Sequence, residues 1–154
     1  MPLLPENRRT WWTLAALATC LLAALTARRL LTRWPDGQLL ARGEFHQVAH
    51  KGSGQARLYR LRSGILELAI RDFRTGYIAN LEVLLIASDD ALNNEMVEHS
   101  QHAALGKILA SASSWNATLP PGLNPYHFRA VTVWCPQYKV NFTTAPLRFV
   151  HGNK

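Results

Sequence analysis

Only two cysteines, Cys20 and Cys135, occur in 154 residues, too few for a disulfide framework or a cysteine-rich zinc pattern. They stand in unlike settings: Cys20 inside an apolar run, Cys135 far downstream in a strand-like segment, so they cannot bridge if the run lies in lipid. There is no haem-attachment cysteine pair, phosphate loop, dinucleotide fingerprint or nucleophile elbow. Hydrolase and nucleotide chemistry therefore have no residues to stand on. Internal repeats and low-complexity tracts are also missing, and a hydrophobic content of 48% argues against disorder.

Acidic residues are in the minority, and where the positive excess lies matters more than its total. The net charge is +7. Residues 1–42 carry six arginines against Glu6 and Asp36, a net of +4, while residues 43–154 carry eleven basic against eight acidic side chains, a net of +3. Over half of the excess thus flanks an apolar segment, where positive charge meets phospholipid headgroups. No basic stripe with interleaved aromatics marks a nucleic-acid partner, and none is expected.

That segment, Trp11 to Ala27, is an uncharged run of 17 residues. As a helix it covers about 26 Å at ~1.5 Å per residue, a little less than the ~30 Å hydrocarbon core. Trp11, Trp12 and Trp34 bracket it as an interfacial aromatic belt does, and Leu30 and Leu31 extend it while Arg28 and Arg29 snorkel. The expected partner is thus the membrane, met through a transmembrane anchor over residues 11–34, after a tail at 1–10. A cleaved signal peptide, a lipoprotein signal read from Leu17-Ala18-Thr19-Cys20, and a buried core helix are the competing readings. Small residues are poorly placed for a peptidase before Arg28, and apolar residues continue after Cys20.

Beyond the run, Trp34-Pro35-Asp36-Gly37 reads as a turn that opens a linker over 35–42, and the folded domain is expected at 43–150 with a short tail at 151–154. Glu44–His50 reads as a first strand and Lys51–Gly54 as a glycine-rich turn. Gln55–Arg62 and Ile65–Arg71 make a hairpin across Ser63-Gly64. Leu66, Leu68 and Ile70 alternate with Glu67, Ala69 and Arg71, which is period two. Asn80–Ala87 is apolar throughout, as for a strand covered on both faces. Ser88–Leu105 is polar and opens on a capping signal, a short surface helix or ordered loop. Strands are also expected at Gly106–Ala110, Trp115–Leu119, His127–Cys135, Tyr138–Phe142 and Leu147–Val150. Many short strands joined by Gly, Pro and Asn turns imply an all-β, antiparallel sandwich or barrel behind one N-terminal helix.

Three segments resemble one known family. They are GEFHQVAHKGSGQARLYRL (Gly43 to Leu61), LELAIRDFRTGYIANLEVLL (Leu66 to Leu85), and LGKI (Leu105–Ile108) followed by VTVWCPQYKVNFTTAPL (Val131–Leu147). Their order and spacing resemble the DM-thirteen domain, an electron-transfer module found beside DOMON domains in cell-surface proteins. The likeness covers about residues 43–150, with Ile78-Ala79-Asn80 and Ala117 departing from the family's usual pattern. It implies a β-sandwich-like domain outside the cytoplasm, in the periplasm or extracellular space. This overrides the flanking charges, which slightly favour a cytoplasmic C-terminal domain. It also implies that Cys135 acts in a redox reaction, as a free thiol or as a ligand to a group such as haem, with a redox protein as partner.

Read from the residues alone, Cys135 shares a strand face with Val131 and Val133, and a buried free cysteine is ordinarily a small core hydrophobe. Chemistry would need a thiolate, hence a nearby cation or metal and some access, and Pro136 could place the sulfur near a rim. His46 and His50 lie on one face of the first expected strand by parity, where either could serve Cys135 as base or second ligand. His99 and His102 lie one helical turn apart if that segment is helical, a usable metal spacing, but nothing completes a site. Asn116-Ala117-Thr118 and Asn141-Phe142-Thr143 fit the N-glycosylation pattern.

Overall fold

The computed structural model describes residues 16–20, 33–76 and 80–150. The chain divides into two compact units, Met1–Arg33 and Trp34–Lys154. In the first, residues 16–20 are helical and exposed. The expected anchor falls almost wholly on residues outside the described ones, Trp11, Trp12 and Ala27 among them. No helix among the described residues is long and apolar enough to cross a membrane.

The second unit is an antiparallel two-sheet sandwich. Its strands are β1 (Gly37–Glu44), β2 (His46–Gln47), β3 (Gly52–Leu61), β4 (Leu66–Thr75), β5 (Leu81–Ile86), β6 (His102–Ile108), β7 (Ser114–Thr118), β8 (Ala130–Cys135), β9 (Val140–Pro146) and β10 (Arg148–Phe149), with one helix, α1 (Asn94–His99), between β5 and β6. One sheet runs β10-β1-β3-β4-β7 and the other β2-β9-β8-β5-β6. Leu58, Leu68 and Ile70 from the first meet Leu81, Val83, Leu85, Val131, Val133 and Phe142 from the second in a single core. Full burial of such side chains contributes about 1.5–3 kcal/mol each.

The β3–β4 hairpin forms where the alternation places it. Arg60 pairs with Leu66, and Gly64 takes a positive φ of 83° in the turn. β5 is covered on both faces, Leu81, Val83 and Leu85 by the sandwich core and Leu84 and Ile86 by a second cluster with Val97 and Trp134.

Three expectations need correction. The segment read as a linker is β1, because Leu40 and Ala41 are core residues and a bulge between Leu39 and Ala41 breaks the alternation that marks a strand. Glu44–His50 is not one strand. The chain leaves the first sheet after Glu44, buries Phe45, and joins the second sheet as the two-residue β2. This crossing needs Gly43, where a Cβ would stand 2.3 Å from the Pro146 carbonyl oxygen. The region 88–105 holds both a short helix capped by Asn93, whose side chain accepts from the Met96 N–H, and the first residues of strand β6. His99 and His102 therefore do not sit one helical turn apart.

Candidate redox site around Cys135

Cys135 closes β8, the strand between β5 and β9. Its neighbours in phase, Val131 and Val133, point with it into the core, and its exposure is 0%. Immediately beyond it the turn 136–139 is exposed at every residue, with Lys139 at φ 51° bringing the chain back into β9. Pro136 thus ends the strand as expected, but the sulfur lies on the dry side of the boundary. The thiol is one residue from solvent along the chain and fully covered in space.

β9 carries an extra residue against β8. Val133 pairs with Thr143 and Trp134 with Asn141, leaving Phe142 bulged between them. The freed Phe142 carbonyl accepts the N–H groups of Val48 at 3.4 Å and His50 at 3.1 Å. The Phe142 ring fills the core beside Cys135's strand and stacks on the His50 ring, centroids 4.1 Å apart at 27°. His50 therefore reaches the Cys135 end of the core through an aromatic ring.

His46 is engaged elsewhere. Its Nε2 meets both carboxylate oxygens of Asp90, at 2.9 and 3.0 Å, and its Nδ1 meets the Gln47 carbonyl at 3.0 Å. Burial disfavours the charged ring, but the Asp90 hydrogen bond, the Gln47 carbonyl and the Asp90 charge outweigh it and raise the His46 pKa above 6.5. The common face expected for His46 and His50 does not form, because β2 ends at Gln47 and residues 48–50 bend away. Among the described residues no hydrogen bond joins either histidine to Cys135.

The residues around the sulfur do not fit a haem. Cys135 is buried without exposure in the sandwich core, three clefts on the domain are lined by other residues, and among the described residues no imidazole is hydrogen-bonded to it. His99 Nδ1 lies 2.8 Å from the Glu95 carbonyl and His102 Nδ1 3.1 Å from the Ser100 carbonyl. No group of three metal-ligating side chains occurs among the described residues. Trp34, read as the distal end of the aromatic belt, packs on the sandwich, its ring 4.0 Å from the Arg57 guanidinium carbon and 5.3 Å from that of Arg71.

One buried cluster escaped the sequence reading. On the outer face of the second sheet the Thr132 hydroxyl donates to Asn141 Oδ1 at 2.7 Å, and Asn141 Nδ2 donates to the Ala91 carbonyl at 2.9 Å and to Thr144 Oγ1 at 3.0 Å. Asn94 Oδ1 accepts the Asn141 backbone N–H at 2.8 Å. The cluster pins the 88–99 segment over β8 and β9. Its signal was in the sequence. If Val131, Val133 and Cys135 face the core, Thr132 faces the opposite way, and a polar residue on a strand covered twice needs a partner. Asn141 is fully buried, so the second glycosylation pattern is closed to modification in the folded state.

The model of the family described as "Electron transfer DM13" matches residues 44–147. Comparison with curated proteins and with solved structures finds no match.

Proposed function

We propose, from the premise that the chain belongs to the DM13 electron-transfer family, that it is a membrane-tethered extracytoplasmic module whose redox-active atom is the sulfur of Cys135. The observation that carries this is the position of Cys135 as the last core residue before a fully exposed four-residue turn. Opening of that one hairpin end uncovers the thiol while the rest of the core stays closed, the kind of sub-global opening folded domains undergo. The chemistry open to a lone cysteine is thiol–disulfide exchange with a partner redox protein. The Cys135 thiolate attacks the partner's disulfide, a mixed disulfide forms, and the displaced partner thiolate takes up the proton that Cys135 released. The tether is the apolar run Trp11–Ala27 with its arginine flanks, supported by its length and by the family's cell-surface setting.

The test is a redox titration of the full chain in detergent, in a Cys20→Ser background, against glutathione buffers. Covalent occupancy of Cys135 followed by mass should rise with the oxidised fraction and vanish in Cys135→Ala. A thiol that stays reduced until the protein unfolds overturns the assignment.

Complete burial favours a second reading, in which Cys135 is a core residue and the sandwich is a binding or structural module at the membrane surface. It predicts native stability and partner binding unchanged by Cys135→Val, within the ~1.5 kcal/mol that volume-conserving apolar exchanges cost.

A further inference from the structure

The outer face of the first sheet carries a row of like charge. Arg42 on β1 pairs directly with Arg148 on β10 and with Arg57 on β3, so three arginines lie side by side across three adjacent strands, about 10 Å from end to end at ~4.8 Å per strand. Like charges directly opposite one another destabilise a sheet. Two arginines elsewhere on the domain meet carboxylates, Arg62 with Asp36 and Arg129 with Asp89, each at 3.1 Å. Arg42 and Arg148 form no ion pair with any described residue, although Glu44 lines the same space. That space is a cleft of about 530 Å³ walled by Arg42, Glu44, His46, Gln55, Arg57 and Arg148, a volume suited to a small ligand.

Arg57 is held in place. Its guanidinium lies under the Trp34 ring at 4.0 Å, and its Nη2 donates to Gln55 Oε1 at 3.0 Å. Its Nε is buried with no hydrogen-bond partner. A guanidinium held against an indole ring, beside two exposed guanidinium groups, matches the planar forks that grip phosphate oxygens. We propose that this cleft binds a phosphate group, with Arg57 as the fixed contact and Arg42 and Arg148 closing over it. Glu44 sets the selectivity against weaker anions, since only a multiply contacted phosphate offsets its charge. Trp34 holds Arg57 from one side and is seven residues beyond the apolar run Trp11–Ala27 in the chain. The phosphate can accordingly come from a lipid headgroup or from a free phosphate. The site is separate from Cys135 and does not depend on the redox assignment.

The experiment is calorimetric titration of the full chain in nonionic detergent, with inorganic phosphate, with pyrophosphate, and with short-chain phosphatidylglycerol added to the micelles. Short-chain phosphatidylcholine, whose phosphate is neutralised by choline, serves as control. Saturable binding of phosphate or pyrophosphate, weakened about tenfold by Arg42→Gln or Arg148→Gln and strengthened by Glu44→Gln, supports the site and a soluble source; tenfold corresponds to one lost charge-assisted bond. The same pattern with phosphatidylglycerol alone supports the site and a headgroup source. Arg42 and Arg148 are exposed, so their variants leave the fold intact. Absence of saturable binding for all three anions, or binding that the two arginine variants leave unchanged, overturns the proposal.

Discussion

At the scale of single residues, buried polarity and one half-exposed ion pair carry the clearest consequences. Asn141 serves Thr132, Thr144 and Ala91 at once, so Asn141→Ala removes three hydrogen bonds from a closed network, although Thr132, Thr144 and the Ala91 carbonyl still bond one another. A net hydrogen bond contributes about 0.5–1.5 kcal/mol, and denaturant unfolding should show this variant destabilised by about 1–3 kcal/mol. Asn116→Ala, on an exposed strand residue, should cost under ~1 kcal/mol, although its side chain bonds Arg71 and Glu67. The His46–Asp90 pair sets a pH dependence. Because the folded-state pKa of His46 is raised above 6.5, its contribution is fully present below the unfolded-state pKa and is lost as pH rises through the folded-state value. Melting temperature should therefore fall between mildly acidic and mildly alkaline buffer, and His46→Gln should remove that fall. The amplitude stays below ~1 kcal/mol, the range for partly exposed pairs.

At the scale of elements, the sequence was legible where one rule operated alone. The β3–β4 hairpin obeys strict alternation around a Ser-Gly turn, and β5 is apolar enough to declare burial on both faces. Two misread elements carry a bulge that interrupts the period: Leu39 to Ala41 in β1 and Ser53 to Gln55 in β3. A bulge moves every later side chain to the opposite face, which is why β1 looked like a linker and why Gly54 read as a turn although it lies inside a strand. Gly54 has φ 120°, and a Cβ there would stand 2.8 Å from the Arg71 carbonyl oxygen and from Phe73 Cα. Gly64 has φ 83° with nothing within 4 Å. The two glycines thus separate backbone strain from crowding. Gly64→Ala should cost about 1–2 kcal/mol from the left-handed backbone alone, whereas Gly54→Ala should cost more, because the β3–β4 ladder must also part. Equal losses for the two in denaturant titration would show that the bulge yields freely. The candidate site was half legible for the same reason. Cys135 was placed on its correct face by parity with Val131 and Val133, while His46 and His50 were tied to a strand that the change of sheet at Phe45 breaks in two.

At the scale of the whole molecule, the question is whether the thiol is reached by a local event or by global unfolding. The sandwich closes one continuous core from strands of both sheets, and a single domain of this size unfolds cooperatively. Cys135 sits at the edge of that core beside an exposed turn, where opening need expose only the end of the β8–β9 hairpin. Alkylation of Cys135 in a Cys20→Ser full chain, followed against denaturant concentration, distinguishes the two routes. Opening free energy falls with denaturant in proportion to the surface exposed. A slope well under half of the equilibrium unfolding slope would mean that the hairpin end opens by itself and presents the sulfur to a partner, as the exchange reaction requires. Relaxing that end by Lys139→Pro, a residue that cannot adopt the positive φ of 51° found there, should then speed alkylation more than it lowers global stability. A slope equal to the unfolding slope would mean that Cys135 is exposed only when the sandwich is lost. In that case the sulfur is packing, and electron transfer by this family member must be sought at another atom.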